Sequence, residues 1–262
     1  MKRILSILAA AVLLMTAFAG CSSNGNSSVP EKTTLIVGLD DSFPPMGFRD
    51  ENNNIVGFDV DLAAEVADRL GLELKLQTID WDSKEMELDN GTVDVLWNGL
   101  SITDARKESM LLSRAYLANS QVIVVKKDSA VAAKADLKDK EVGVQKGSSA
   151  LDALNADEIS KDVKEIVQMP DNVGILSDLK LGRIDAAVMD QVVADYYIAK
   201  EPDTYVILGE ALAPEEYAVG FKKGNTELHD KVMAAFDEMV KDGTAAEISE
   251  KWFGEDKILK AE

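Results

Sequence analysis

Asn98-Gly99-Leu100-Ser101-Ile102-Thr103-Asp104-Ala105-Arg106 concentrates polar binding groups in one short stretch, and their chemistry is that of a grip on a free carboxylate. Ser101 and Thr103 offer hydroxyl donors, and Arg106 carries a planar fork that matches two carboxylate oxygens. Gly99 lets a ligand approach the backbone with no Cβ in the way. The same residues also suit a helix cap followed by a surface arginine, and the segment alone leaves both readings open. Catalytic groups are sparse. The one histidine, His229, lies in a polar stretch of a late helical segment, and the one cysteine is Cys21, so Ser–His, Cys–His and histidine-based metal constellations are missing.

The elements that must position this grip follow from periodicity. Residues 93–97 form an apolar run after a Gly91 turn and read as a strand buried on both faces, with Asn98 and Gly99 expected at its end. Upstream, residues 34–39 read as a strand, and the Pro/Gly-rich stretch from Asp40 through Phe43 to Phe48 as a loop at its end, where ligands meet α/β folds. Leu62, Ala63, Val66, Ala67 and Leu70 recur at helical spacing, with Asp59 and Asp61 in the first turn and Gly71 beyond the end. Leu72, Leu74 and Leu76 alternate with polar residues as a half-buried strand does, and Trp81 precedes a short helix over residues 83–88.

The second half has the same plan. A strand over residues 141–145 leads through the turn Lys146-Gly147-Ser148-Ser149 into a helix, followed by a strand at 163–169 and a helix from Pro170 to Leu181. Leu179-Lys180-Leu181-Gly182-Arg183-Ile184-Asp185-Ala186 aligns with Leu88-Asp89-Asn90-Gly91-Thr92-Val93-Asp94-Val95 at Leu, Gly, an apolar position and Asp. That offset of 91 residues carries Gly99 onto Asp190, which suggests two α/β lobes whose strand ends face each other across a cleft, although chance likeness of two helix-turn-strand units gives the same pattern. Residues 121–126 and 217–221 are the expected crossovers of a hinge.

The 262-residue chain opens on Lys2 and Arg3, an apolar run over residues 4–18, and Ala19-Gly20-Cys21. That run is shorter than the ~20 residues a spanning helix needs, so residues 1–20 are expected to be a secretion signal. Small residues just before Cys21 resemble a bacterial lipoprotein cleavage box, with Phe18 where leucine is usual; Cys21 is then the acylated first residue of the mature protein. Residues 21–33 have the composition of a flexible tether. Removing residues 1–20 takes away two positive charges, changing the formal charge from −19 to −21, which argues against nucleic acid and anionic lipid surfaces as partners.

Taken together, the mature residues resemble the extracellular solute-binding proteins of polar amino-acid ABC transporters, the branch that includes glutamine-, histidine- and lysine/arginine/ornithine-binding proteins. Gly57-Phe58-Asp59-Val60-Asp61-Leu62 with Val66 and Leu70 is similar to one family signature, and Gly99-Leu100-Ser101-Ile102-Thr103 to Arg106 is similar to the family's ligand-binding turn. The resemblance implies a two-lobed α/β periplasmic-binding-protein-like fold with a ligand cleft and two hinge crossovers. Lobe one would comprise residues 34–120 plus 221–262, and lobe two residues 121–220. It implies that Arg106 clamps the ligand α-carboxylate, helped by backbone N–H groups near Ser101 and at Ser148-Ser149. Asp190 would take the α-ammonium with the Gly99 carbonyl and the Ser101 hydroxyl, Phe43 and Trp81 would flank the ligand side chain, and Asp40 would meet its polar end. From the residues alone, Asp190 equally reads as a helix cap, Asp40 as a turn former, and the two aromatics as core. Asn98 and Gln145 depart from the family pattern, at positions where relatives often have Ala or Ser and where the glutamine binder has Lys, so specificity does not transfer.

The expected role is therefore a lipid-anchored, monomeric extracytoplasmic binding protein that delivers a polar amino acid to the transmembrane subunits of an ABC permease, with no cofactor, metal or nucleic acid. An enzyme on the same fold, such as a cyclohexadienyl dehydratase, and a chemosensory ligand module are the alternatives. The first finds too few catalytic groups here, and the second calls for a spanning helix that no further apolar stretch supplies.

Overall fold

A computed structural model describes residues 32–260; the expected signal peptide, Cys21 and the tether up to residue 31 lie outside them. The chain begins with strand β1 (Thr34–Leu39), followed by a small three-stranded antiparallel sheet of β2 (Ser42–Phe43), β3 (Gly47–Arg49) and β4 (Ile55–Val56). Helix α1 (Phe58–Arg69) buries Phe58, Leu62, Ala63, Val66 and Ala67, the face its spacing demands, and carries Asp59 and Asp61 where the helix dipole favours acids. Next come β5 (Glu73–Thr78), a single tight turn at Trp81–Ser83, α2 (Lys84–Asn90), β6 (Val95–Ser101), α3 (Asp104–Ser109) and β7 (Leu111–Leu112).

The long strand β8 (Leu117–Lys126) leads into β9 (Glu141–Gln145), α4 (Ser149–Ala156), β10 (Glu165–Met169), α5 (Asn172–Lys180), β11 (Ala186–Asp190), α6 (Gln191–Lys200) and β12 (Tyr205–Ile207). The nine-residue β13 (Ala213–Phe221) returns before α7 (Thr226–Asp242) and α8 (Thr244–Phe253).

The strands run in the order β10-β9-β11-β8-β13-β6-β1-β5, with β12 on β8 and β7 on β13. Its outer portions are parallel triplets of one plan, β6-β1-β5 and β11-β9-β10, and each is joined antiparallel to one of the two central strands, β6 to β13 and β11 to β8. β6 begins at residue 95 and β11 at residue 186, which differ by 91, the spacing seen in the sequence. This is a two-lobed α/β architecture in which β8 and β13 are the crossovers, paired with each other from Ala213↔Gln121 to Tyr217↔Leu117.

All seven residues of β6 are buried, as expected of a strand covered on both faces. The strand is longer than its apolar run suggested: Asn98 and Gly99 lie inside it rather than at its end. Pairing with β13 shifts register between Ala218 and Gly220, and Gly99 takes φ 56°, so the strand passes the polar residues through a bulge instead of stopping. Helices α7 and α8 pack with α1. There α7 buries Val232, Met233, Ala235, Phe236 and Met239, each large side chain contributing about 1.5–3 kcal/mol.

Candidate functional site

Phe43, Trp81, Asn98, Gly99, Ser101, Arg106, Gln145, Ser148, Ser149 and Asp190 line one pocket. β6, β9 and β11 each deliver a residue at or near a strand end, namely Ser101, Gln145 and Asp190, which is where an open α/β sheet presents groups to a ligand.

Arg106 sits in the first turn of α3. Its backbone N–H donates to the Thr103 hydroxyl at 3.2 Å, so Thr103 serves as the helix cap while the arginine side chain points inward rather than to the surface. Arg106 is 5% exposed, and its guanidinium donates to the Ser101 carbonyl at 2.8 Å. Among the described residues no carboxylate pairs with it, and Glu85, Glu215, Asp152 and Asp190 act on it only at longer range. Burial lowers its pKa and those acids raise it. An unpaired, desolvated guanidinium is costly unless an anion is brought to it.

Asp190 is the opposite case. It stands at the start of α6 without capping it. Its Oδ1 instead accepts hydrogen bonds from Tyr217 OH at 2.6 Å and from Asn119 Nδ2 and Gln121 Nε2 at 2.9 Å each. It is 3% exposed and no cation touches it among the described residues. Burial first, then the nearby Glu215, raises its pKa well above the carboxylate range, against the pull of Tyr217 and Gln121.

Ser148 caps α4 by accepting from Leu151 N–H at 3.2 Å and donates to the Gln145 carbonyl at 2.7 Å. Ser149 meets Ser101 hydroxyl to hydroxyl at 2.8 Å and accepts from Gln121 at 3.2 Å. Asp40 is placed behind the lining: its Oδ1 accepts from Ser42 N–H at 2.9 Å, a local turn, while Oδ2 accepts from Gln145 Nε2 at 2.7 Å. It therefore forms the turn and reaches the pocket through Gln145. Desolvation raises its pKa to about 6 even though Gln145 and Ser42 pull it down. Asn98 accepts from Asp40 N–H at 3.1 Å and leaves a buried Nδ2 without a partner. Phe43 and Trp81 are each 6% exposed, so they contribute to the core and to the pocket wall together.

Gly99 is required twice over. Its φ of 56° is one that side chains resist, and an added Cβ would come within 2.7 Å of the Phe43 ring. Its N–H donates to Asp59 Oδ2 at 2.7 Å, and Tyr116 OH donates to both oxygens of that carboxylate at 2.8 Å. Asp59 thus ties α1 to the bulge in β6; burial raises its pKa to about 7. Across the cleft mouth, Lys84 Nζ donates to the Gly147 carbonyl at 2.8 Å and lies 5.4 Å from the centre of the Trp81 ring, and Lys146 pairs with Asp82 at 2.7 Å. Asn119, Gln121, Glu215, Tyr217 and Lys84 were not expected here. The first four look like ordinary strand residues until the register of β8 with β11 and β13 gathers them, and Lys84 like an ordinary helix residue until tertiary packing sets it against Gly147. Among the described residues no group of three or more His, Cys, Asp or Glu is arranged to hold a metal ion.

The family model described as bacterial extracellular solute-binding proteins, family 3, matches residues 35–255. The chain is 36% identical over 232 residues to the L-cystine-binding protein TcyJ of Escherichia coli, covering 88% of this chain and 86% of that one. It is 33% identical over 260 residues to the arginine-binding extracellular protein ArtP of Bacillus subtilis, covering 98% and 100%. Among solved structures, the substrate-binding protein of an ABC uptake transporter from Streptococcus pneumoniae with bound histidine matches with a TM-score of 0.84 at 41% identity, covering 87% of this chain and 95% of that one.

Proposed function

The chain belongs to the bacterial extracellular solute-binding proteins, family 3, and from that premise we propose that its pocket holds one free polar amino acid as a zwitterion between Arg106 and Asp190. It is an extracytoplasmic binding protein of amino-acid transport, not an enzyme, as its relatives are. The observation that carries the binding mode is the buried, unpaired guanidinium of Arg106 in the same pocket as the buried, unpaired carboxylate of Asp190. Ligand carboxylate and ammonium relieve both desolvation costs at once. The Ser101 and Ser149 hydroxyls assist, Phe43 and Trp81 flank the side chain, and the Asp40–Gln145 pair meets its polar end.

Relatives named for cystine, arginine and histidine support a polar ligand. The checking experiment is a thermal-shift panel of the twenty amino acids and L-cystine. A native-state ligand stabilises by roughly 2.7 kcal/mol at a hundred times its Kd. Polar amino acids are expected to give the largest shifts; preference for branched aliphatic ones contradicts the assignment of Asp40 and Gln145.

Residues 34–120 with 221–262 form lobe one and residues 121–220 lobe two in this reading, a division supported by the packing of α7 and α8 on α1. The protein acts as a monomer that closes on its ligand and presents it to the transmembrane subunits of an ABC permease. Residues 1–20 direct export, Cys21 carries lipid, and residues 21–33 are the tether. Among the described residues no helix is long and apolar enough to cross a membrane. Cys21→Ser is accordingly expected to move the protein from the membrane fraction to the soluble one; equal membrane retention on fractionation rules the anchor out.

A further inference from the structure

A second carboxylate, Glu215, stands beside the pocket residue Asp190, brought there by strand register. β13 sets Glu215 opposite Asn119 on β8, and β11 sets Asp190 opposite Gln121 on the same strand. Asn119 Nδ2 donates to Asp190 Oδ1 at 2.9 Å and to Glu215 Oε1 at 2.6 Å. Gln121 Nε2 donates to both acids at 2.9 Å. Two amides thus bridge two carboxylates. Because the four residues lie on three neighbouring strands of the central sheet, the arrangement does not depend on the other side of the cleft.

The charges facing Asp190 are few. Glu215 and the Tyr217 hydroxyl act on it directly, and Arg106 feels both acids without touching either. Gln121 adds an independent observation: the residue is fully buried, and while its Nε2 serves the acids, its Oε1 has no hydrogen-bond partner. All these donors go to Asp190 Oδ1 and Glu215 Oε1, so Asp190 Oδ2, Glu215 Oε2 and this amide oxygen are left as acceptors without a donor among the described residues. A primary ammonium, with three N–H donors and one charge, is the complement of such a set.

We propose that Glu215 is a second ligand of the amino-acid ammonium, alongside Asp190, and that the arriving ammonium displaces a proton from Asp190. The balance is simple. One carboxylic acid, one carboxylate and an ammonium become two carboxylates, the bound ammonium and a proton released to solvent. The inference rests on the reading of the pocket as an amino-acid site and adds to it both a selectivity residue and a proton count. Asp190 already tends to hold that proton, since burial and the Glu215 charge raise its pKa.

The test is calorimetry of L-arginine, L-lysine, L-histidine, L-glutamine and L-cystine with wild type and with Glu215→Gln, at neutral pH in phosphate and in Tris. Buffers of different ionisation enthalpy report the protons exchanged. Wild type is expected to release up to about one proton per bound amino acid, as when a buried carboxylic acid ionises beside an arriving cation. In Glu215→Gln, whose amide oxygen still accepts from Asn119 and Gln121, release should fall below the wild-type count, because the neighbouring charge is gone while the burial of Asp190 remains. Affinity should drop about tenfold to a hundredfold, as when a charged hydrogen bond is lost. Unchanged affinity, or weaker binding with an unchanged proton count, overturns the assignment while leaving the pocket reading intact. The variant's melting temperature without amino acid serves as the folding control. If none of the five binds wild type, the pocket reading itself fails and the inference with it.

Discussion

Arg106→Ala is expected to weaken amino-acid binding by tens- to thousands-fold while leaving the free protein at least as stable as wild type. The first half follows from burial. A ligand carboxylate drawn into this pocket leaves water, and at 5% exposure Arg106 is the cation placed to receive it. Losing one partner of a buried charge pair costs about 2–5 kcal/mol, or about 1.4 kcal/mol per decade of Kd. The second half follows from the missing partner. In the free protein the guanidinium has been desolvated with no carboxylate to pair with, so removing it relieves a cost rather than breaking an ion pair. Calorimetry and thermal melting of the same variant check both halves. A variant that binds within a few-fold of wild type, or that melts far below it, contradicts the role given to Arg106. Arg106→Lys should fall between, because it keeps the charge and loses the fork.

Asp190→Ala is expected to cost a comparable 2–5 kcal/mol of affinity and, unlike the first variant, to uncouple binding from closure. Arg106 and Ser101 belong to α3 and β6, whereas Asp190 belongs to β11. With Asp190 gone, an amino acid at saturating concentration can still dock its carboxylate on the first set. What is lost is the differential contact that favours the closed state, and a ligand shifts a conformational equilibrium only by that difference. Small-angle scattering with excess ligand should show an extended molecule for Asp190→Ala and a compact one for wild type. Normal compaction with near wild-type affinity would remove Asp190 from the ammonium site.

The α/β elements were legible because their signals are local. The apolar alternation leading through β5 and the helical spacing behind Phe58 are carried by neighbouring residues, and the 91-residue offset between β6 and β11 by two short stretches that can each be read locally. Part of the pocket lining was legible for a related reason: Gln145 and Asp190 end strands that can be read from the runs that precede them, whereas Ser101, which ends β6 beyond its apolar run, was singled out by the chemistry of its own stretch. What escaped depends on register. Gly99 marks a bulge inside β6, visible only once β13 lies against it. Asn119, Gln121, Glu215 and Tyr217 become one cluster through pairings of β8 with β11 and β13, and nothing in their own segments announces it. Asp40 reaches the pocket through Gln145, 105 residues away, a connection that no local pattern encodes. Lys84 is a polar residue on a short helix, and its burial against Gly147 is purely tertiary.

The account stands on the claim that Arg106 and Asp190 together select an intact amino-acid zwitterion. The direct measurement is thermal shift and calorimetry of the purified wild-type protein with L-arginine, L-lysine, L-histidine, L-glutamine and L-cystine, each beside its α-carboxamide. The carboxamide keeps the ammonium and the side chain but gives Arg106 no anion. At least one free amino acid should bind and stabilise the protein, with its carboxamide weaker by roughly a hundredfold or more, about 2.7 kcal/mol or above. Equal binding of an amino acid and its carboxamide, or no binding by any of the five, would contradict it.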